Sequence, residues 1–356
     1  AFKETNEKVT DVHYLQPGST NPIFWEADLV RKGDIDAIFG EAYFDLSEKT
    51  SLTMGLRKYD QTMNLKASDG YYGSYAFGIN SLDFNSSETG SIPKLSISHD
   101  ISDDIMVYGS YSEGFRPSGV NRPRPSQAGL IPETYDPDYL DSYEIGVKSS
   151  LKDGRLILNG ALYKMDWTDY QTSTYDTDIT SVAYTENVGN AEINGMELNL
   201  MYAISDTADM TLYVNKMDPT LSEDYYYTSG ELGADAGNRL AYMPELTYYL
   251  SFDKDFVFMG KPAYMNIDYS HTGERYTTYE NGGILLPSYS MSNLRAGIDN
   301  DNSSIELYVT NLFDKDAYLS RYDDFESVGS SGYSGFGIRR TGSKPRVIGI
   351  RIRYRY

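Results

Sequence analysis

Three histidines, His13, His99 and His271, are the only imidazoles in a chain of 356 residues. They lie far apart, and none forms the H-E-x-x-H spacing that sets two zinc ligands and a general base on one face. GSYSEG (109–114) has the outline of a nucleophile elbow, but Tyr111 stands where G-x-S-x-G needs its serine. The glycines of GSSGYSGFGIRRTG (329–342) do not have phosphate-loop spacing and read as a flexible loop. DNDNSS (299–304) opens like a calcium loop yet lacks glycine at the sixth place, and reads as a tight turn. No two carboxylates can be given acid and base roles. With no cysteine there is neither a disulfide nor a thiolate site. The expectation is a protein that is not an enzyme, with no catalytic residues, no metal and no cofactor.

Residues suited to binding sit instead in long polar stretches. Tyr71, Tyr72 and Tyr75 cluster in one, and Tyr225, Tyr226 and Tyr227 in another beside Glu223 and Asp224. Arg116, Asn121 and Arg122 follow SEGF (112–115). Aromatic faces can stack on sugar rings or catechols, and guanidinium groups can hold anionic chelates. These nine residues are the ligand-binding candidates. The competing reading is that the tyrosines form an interfacial girdle or pack the loops together, and that Arg122 pairs with a neighbouring carboxylate.

Composition narrows the class. There are 34 tyrosines against 13 phenylalanines and 2 tryptophans, and the net charge is −21. Such an acidic balance argues against nucleic acid as a partner. No apolar run approaches the ~20 residues of a membrane helix. The mean hydropathy of −0.50 would suit a soluble protein, but a membrane barrel passes the same test because only alternate residues meet lipid. The opening AFKETNEKVTD has no basic start followed by an apolar run, so the chain is expected to be processed, trimmed or incomplete there.

The elements that would carry these residues are strands. Arg351, Arg353 and Arg355 alternate with Ile350, Ile352, Tyr354 and Tyr356 in the final RVIGIRIRYRY (346–356). Successive strand residues point to opposite faces, so this strand has one greasy face and one cationic face. The pattern recurs. Leu52, Met54 and Leu56 oppose Arg57; Tyr143, Ile145 and Val147 oppose Glu144 and Lys148; Met196, Leu198 and Leu200 oppose Glu197; Met265, Ile267 and Tyr269 oppose Asn266 and Asp268. From residue 35 the chain divides into 13 strands joined alternately by short turns and long loops, with 61–92 read as one such loop, 183–204 as one long strand and 240–252 as another. A fourteenth strand in the first ten residues is left open. A soluble sandwich would not place so many charges on its inner faces, whereas a membrane barrel puts them in a wet interior.

Seven motifs then become recognisable in order: IFGEAYFDLSEKTSLTMGLRKYD, VYGSYSEGFRPSGVNRP, YDPDYLDSYEIGVKSSLKDGRLILNGALYKMDWTDYQ, NVGNAEINGMELNL, LPSYSMSNLRAGI, LYVTNLFDKDAY and KPRVIGIRIRYRY. Together they resemble the C-terminal part of TonB-dependent outer-membrane receptors over about residues 35–356. The resemblance implies an all-β fold: a transmembrane antiparallel up-and-down β-barrel of about 22 strands, of which this chain would supply the last 13–14. It also implies an N-terminal plug and a TonB box, neither of which is found in this sequence. A partial sequence is the favoured explanation, ahead of a split receptor or a truncated gene. Residues 1–34 are then expected to be an extracellular loop with room for one preceding strand, and 35–356 the C-terminal part of the barrel.

Further expectations come from the same resemblance. Long loops would be extracellular and the C-terminus periplasmic, in a Gram-negative outer membrane. Arg57, Glu144, Lys148, Glu197, Asn266, Asp268, Arg351, Arg353 and Arg355 would face the lumen. Ile350, Ile352, Tyr354 and Tyr356 would form the signal read by the β-barrel assembly machinery. The implied partners are the TonB–ExbB–ExbD complex, the missing plug and barrel strands, and outer-membrane lipid and lipopolysaccharide. The implied activity is energised import of a scarce nutrient such as a ferric siderophore, cobalamin or an oligosaccharide. A passive pore or a surface-adhesion barrel is the alternative.

Overall fold

The computed structural model describes residues 2–15, 23–71, 80–121, 129–174, 184–279, 283–300, 302–322 and 339–354. Among them every helix-or-strand element is a strand. Fourteen form one antiparallel sheet in chain order: β1 (Phe2–Leu15), β2 (Ile23–Ser47), β3 (Thr50–Tyr71), β4 (Asn80–Ser102), β5 (Ile105–Arg116), β6 (Asp138–Leu151), β7 (Leu156–Thr168), β8 (Ala191–Ser205), β9 (Ala208–Leu221), β10 (Leu246–Phe258), β11 (Lys261–Thr272), β12 (Tyr289–Asn300), β13 (Ser303–Thr310) and β14 (Val347–Tyr354). Each pairs with its neighbours in sequence, and β1 and β14 are the two edges. Short turns join one set of ends and long loops the other. At the β10–β11 turn Met259 and Gly260 both have positive φ, 51° and 76°, the mirror-image turn that matches strand twist.

Residues directly opposite each other in adjacent strands share a face. Arg351 lies opposite Glu306, Glu306 opposite Gly297, and Gly297 opposite Tyr264. Carried on through the sheet, the pairing puts Arg353, Arg351, Asp268, Asn266, Glu197, Lys148, Glu144 and Arg57 on one polar face. Arg355 lies outside the described residues. The other face carries Ile350, Ile352, Leu307, Ile267, Leu212, Leu162, Ile145 and Met54. Ile350 is 68% exposed, Ile145 62% and Leu162 57%. Large aliphatic side chains this exposed, in a continuous band, suit hydrocarbon rather than water.

The polar face is tied down by tyrosines that lie flat across glycines. Tyr108 covers Gly146, Tyr163 covers Gly195, Tyr264 covers Gly297 and Tyr308 covers Gly349, each the direct cross-strand partner. Three of these hydroxyls donate to the polar face itself: Tyr108 to Glu144 at 2.6 Å, Tyr264 to Glu306 at 2.7 Å and Tyr163 to Asn215 at 3.0 Å. A Cβ on Gly195 would sit 2.2 Å from Tyr163 Cζ, so alanine there must lift the ring. Gly195→Ala is expected to destabilise the folded receptor by about 1–3 kcal/mol, as overpacking does, read as a lower urea midpoint in vesicles. Gly160→Ala, whose Cβ would meet nothing nearer than 3.7 Å, is the control expected to stay near wild type.

Three expectations need correction. Residues 61–71 and 80–92 are strand, not loop: β3 runs to Tyr71 and β4 starts at Asn80. In β3 the apolar residues change sides, with Leu52, Met54 and Leu56 on the lipid-type face but Met63, Leu65 and Ala67 on the other. Leu65, Ala67, Leu82 and Val120 form a buried cluster there. The 22 residues of β3 are about twice the ~9–11 that cross a membrane, so the inversion marks where lipid ends and loop packing begins. Residues 183–204 are not one strand, since Tyr184–Asn187 folds back on Gln171–Thr174 and Gly189 turns the chain at φ 93°. The strand read at 240–252 begins at Leu246, after a loop that buries Leu240 completely. β2 runs unbroken from Ile23 to Ser47.

Candidate ligand-binding face and loops

At the long-loop end the polar face stops being polar. Tyr163, Ala191, Ile193 and Leu221 are all on it by register, and all are buried. What covers them is loop: Val188, Tyr225, Ala234, Leu240 and Tyr279 complete one cluster, with Met165, Trp167, Tyr170, Met217 and Tyr227 against it. The loops after β7, β9 and β11 therefore fold back over the polar face rather than away from it.

Asp138 is the anchor of the next segment. It opens β6, is 1% exposed and lies opposite Arg116, the last residue of β5. Its carboxylate accepts from Arg116 Nε at 3.0 and 2.9 Å, from Arg116 Nη2, and from the Arg116 amide at 3.2 Å. It also accepts from Trp167 Nε1 at 2.9 Å and the Gln171 amide at 3.0 Å. The guanidinium lies over Trp167 and Tyr170, 5.0 and 5.7 Å from their ring centres. Arg116 Nη2 also donates to the Gln171 carbonyl at 2.7 Å. A buried carboxylate is tolerated when its lone pairs are this well satisfied.

The candidates divide on this geometry. Asn121 is 6% exposed. It donates to the carbonyls of Pro132 and Thr185 and accepts from the Thr185 amide, so it staples two loops and has no donor left for cargo. Tyr225 is 3% exposed and donates to Glu186; burial pushes its phenol well up, and the bond to Glu186 adds to that. It is wall, not contact surface. Tyr227 packs edge-on against Tyr225 at 5.2 Å. Tyr226 is 56% exposed and remains open to a ligand, as does Arg116, whose side chain is 47% exposed despite its ion pair. Tyr71 ends β3 opposite Trp25. Tyr72, Tyr75, Arg122 and Tyr356 lie outside the described residues. Ile350, Ile352 and Tyr354 do share one face, as their parity requires.

A cavity of about 520 Å³ lies below the loop core and reaches Leu198, Val214 and Tyr248 of the other face. Glu197, Asn199, Tyr213, Asn215, Tyr249 and Ser270 line it. Asn199 Oδ1 is buried there without a hydrogen-bond partner, an acceptor left over by the fold. Glu197 is one of the lumen candidates, but the other residues and Asp138 were missed in the sequence; parity alone could have found Tyr213 and Tyr249, which alternate with Leu212, Val214, Tyr248 and Leu250. Among the described residues no group of three or more carboxylates and histidines is placed to hold a metal.

Known proteins resemble this arrangement. The family described as "TonB dependent receptor-like, beta-barrel" matches residues 6–312. The metal-pseudopaline receptor CntO of Pseudomonas aeruginosa is 23% identical over 331 residues, 90% of this chain and 42% of that protein. The ferrichrome outer membrane transporter/phage receptor of Escherichia coli K12 is 25% identical over 234 residues, 62% of this chain and 28% of that protein. The ferric yersiniabactin uptake receptor FyuA from Yersinia pestis superimposes with a TM-score of 0.78 at 17% identity, over 99% of this chain and 50% of that one. The chain thus spans less than half the length of these curated relatives.

Proposed function

The chain belongs to the TonB-dependent receptor-like β-barrel family, and we propose that it is the C-terminal wall and loop set of an outer-membrane importer for a metal–chelate nutrient. The observation that carries this reading is the folding of three long loops onto the polar face of the sheet. A plain pore leaves that face to water. Loops packed over it instead narrow the mouth and offer aromatic and cationic edges, Tyr226 and Arg116 among them, above the cavity that Glu197 and Asn199 help to line.

In this reading the polar face is the lumen, the long loops are extracellular and the C-terminus is periplasmic. Arg351, Arg353, Asn266, Asp268, Glu197, Lys148, Glu144 and Arg57 line the passage, where a plug would contact them. Ile350, Ile352 and Tyr354 present the C-terminal strand to the assembly machinery. Energy comes from TonB through segments outside this chain. The names of the relatives, which concern ferric siderophores and a metal–pseudopaline complex, support a chelated metal over cobalamin or an oligosaccharide.

The test is uptake by the whole receptor in cells starved of iron. Growth on an added ferric siderophore is expected only when both the receptor and TonB are present. Growth that persists without TonB, or an open conductance of the purified receptor in planar bilayers, would overturn the proposal in favour of a passive pore.

A further inference from the structure

The wall beneath the loop core leaves a carboxylate without a counter-ion. The cavity of about 520 Å³ crosses β8, β9, β10 and β11. Leu198, Val214 and Tyr248 turn their side chains to the other face, so they give it a backbone floor. Two rows of the polar face stand on either side of that floor. Glu197 and Asn215 belong to the row nearer the loops, and Asn199, Tyr213 and Tyr249 to the row nearer the turns. One row above Glu197 lie Tyr163 and Met217, which are part of the loop core. The cavity therefore opens directly below the covered mouth.

What it offers is acceptors and ring faces. Glu197 makes no ion pair and no side-chain hydrogen bond among the described residues. Asn199 Oδ1 has no donor, whereas Asn215 Oδ1 already accepts from the Tyr163 hydroxyl at 3.0 Å. The nearest strand to carry a cation on this face is β6, two strands away, and its Lys148 lies over the Tyr108 ring at 5.3 Å. The rings of Tyr213 and Tyr249 have their centres 6.3 Å apart, and Tyr213 is 43% exposed. A carboxylate beside open ring faces is the setting that holds a protonated amine or a guanidinium.

The rest of this sector has the same sign. From β8 to β11 the polar face carries Glu197, Asp209, Asp253, Asp255 and Asp268, and neither lysine nor arginine. Asp209 lies directly opposite Asp253, a pairing that costs stability unless positive charge comes near. Walls of one sign raise the local concentration of the opposite ion, so an anionic group would be repelled here and a cation drawn in. The import reading above supplies the source, since cargo passing under the loops meets this cavity next. Resting on that reading, we infer that the cavity binds a protonated amine or guanidinium carried on an arm of the imported chelate. Glu197 is its counter-ion, Tyr213 and Tyr249 are its cation–π walls, and the Asn199 amide turns to accept from it.

The test is saturation-transfer NMR on the whole receptor in detergent micelles, with benzylammonium as probe and benzyl alcohol as its uncharged counterpart. Wild type is expected to bind the amine at least tenfold more tightly than the alcohol, and to lose it as pH rises through the amine's own pKa. Glu197→Gln is expected to weaken amine binding at least fivefold and leave the alcohol unchanged. Asn199→Arg, which supplies a guanidinium from the wall itself, is expected to abolish amine binding. Asp103→Asn, in the short turn after β4, controls for the loss of any one carboxylate and should bind as wild type does. Heat-modifiable migration on gels checks that each variant has folded. Equal amine binding by wild type and Glu197→Gln overturns the site, as does equal binding of amine and alcohol. Absence of amine binding to wild type also overturns it, because the receptor's own side chains then fill the cavity. The measurement uses neither TonB nor a siderophore, so it can fail while TonB-dependent growth stands, and the reverse.

Discussion

Asp138→Ala is expected to loosen the mouth of the barrel without unfolding the wall beneath it. The substitution leaves Arg116 Nε, Trp167 Nε1 and the Gln171 amide with donors and no acceptor, while Arg116 Nη2 keeps the Gln171 carbonyl. Removing one partner of a buried ion pair costs about 3–5 kcal/mol. The lower end applies here, because Arg116 is half exposed and can turn to water. The segments on either side, 117–137 and 169–190, should become sites of proteolytic nicking in the intact receptor, while the midpoint of global unfolding moves little. Asp138→Asn keeps one acceptor oxygen for Trp167 and the Gln171 amide and should recover part of the protection. If all three proteins are nicked alike, Asp138 does not organise the loops.

The second large effect is a contrast between adjacent residues. Leu200 lies on the lipid-type face between Leu158 and Leu212, and Asn199 on the polar face between Asn159 and Tyr213. Arginine on the lipid face of a barrel costs about 2–4 kcal/mol near the midplane. Leu200→Arg in the whole receptor is therefore expected to lose that much stability in urea titrations in vesicles, and to accumulate poorly in the outer membrane. Asn199→Arg is expected to assemble at close to the wild-type level, since its new charge lies on the polar face beside Glu197. Equal losses for the two would mean that the faces have been assigned wrongly or that the sheet is not bathed in lipid.

Much of this was legible beforehand where lipid decides the pattern. Glu197 against Leu198, or Asn266 against Ile267, is a local choice with period two, and the pairing later placed every described lumen candidate on one face. The loops were less legible. Tyr225, Tyr226 and Tyr227 are the same residue type in a row, yet one is wall, one is open and one packs against its neighbour. Asn121 and Asp138 look like ordinary loop polars, but each is saturated by partners remote in sequence, such as Thr185, 64 residues from Asn121. The upper part of β3 reads as loop in the sequence because 61–92 is rich in Gly, Ser, Asn and Tyr, and its apolar parity inverts there. A periodicity test counts that inversion as noise, although it records a change of surroundings.

The alternating sequence by itself determined a membrane sheet with two unlike faces, and with short turns at one end and long loops at the other. It could do so because water and hydrocarbon each act on one side chain at a time, so their demands are written residue by residue along a strand. Only the tertiary structure decided that the loops close over the polar face, that Asp138 holds them, and that Glu197 borders a cavity without an ion-pair partner among the described residues. Those outcomes depend on which atoms from distant strands meet, and register across fourteen strands is a property of the sheet that no single strand contains.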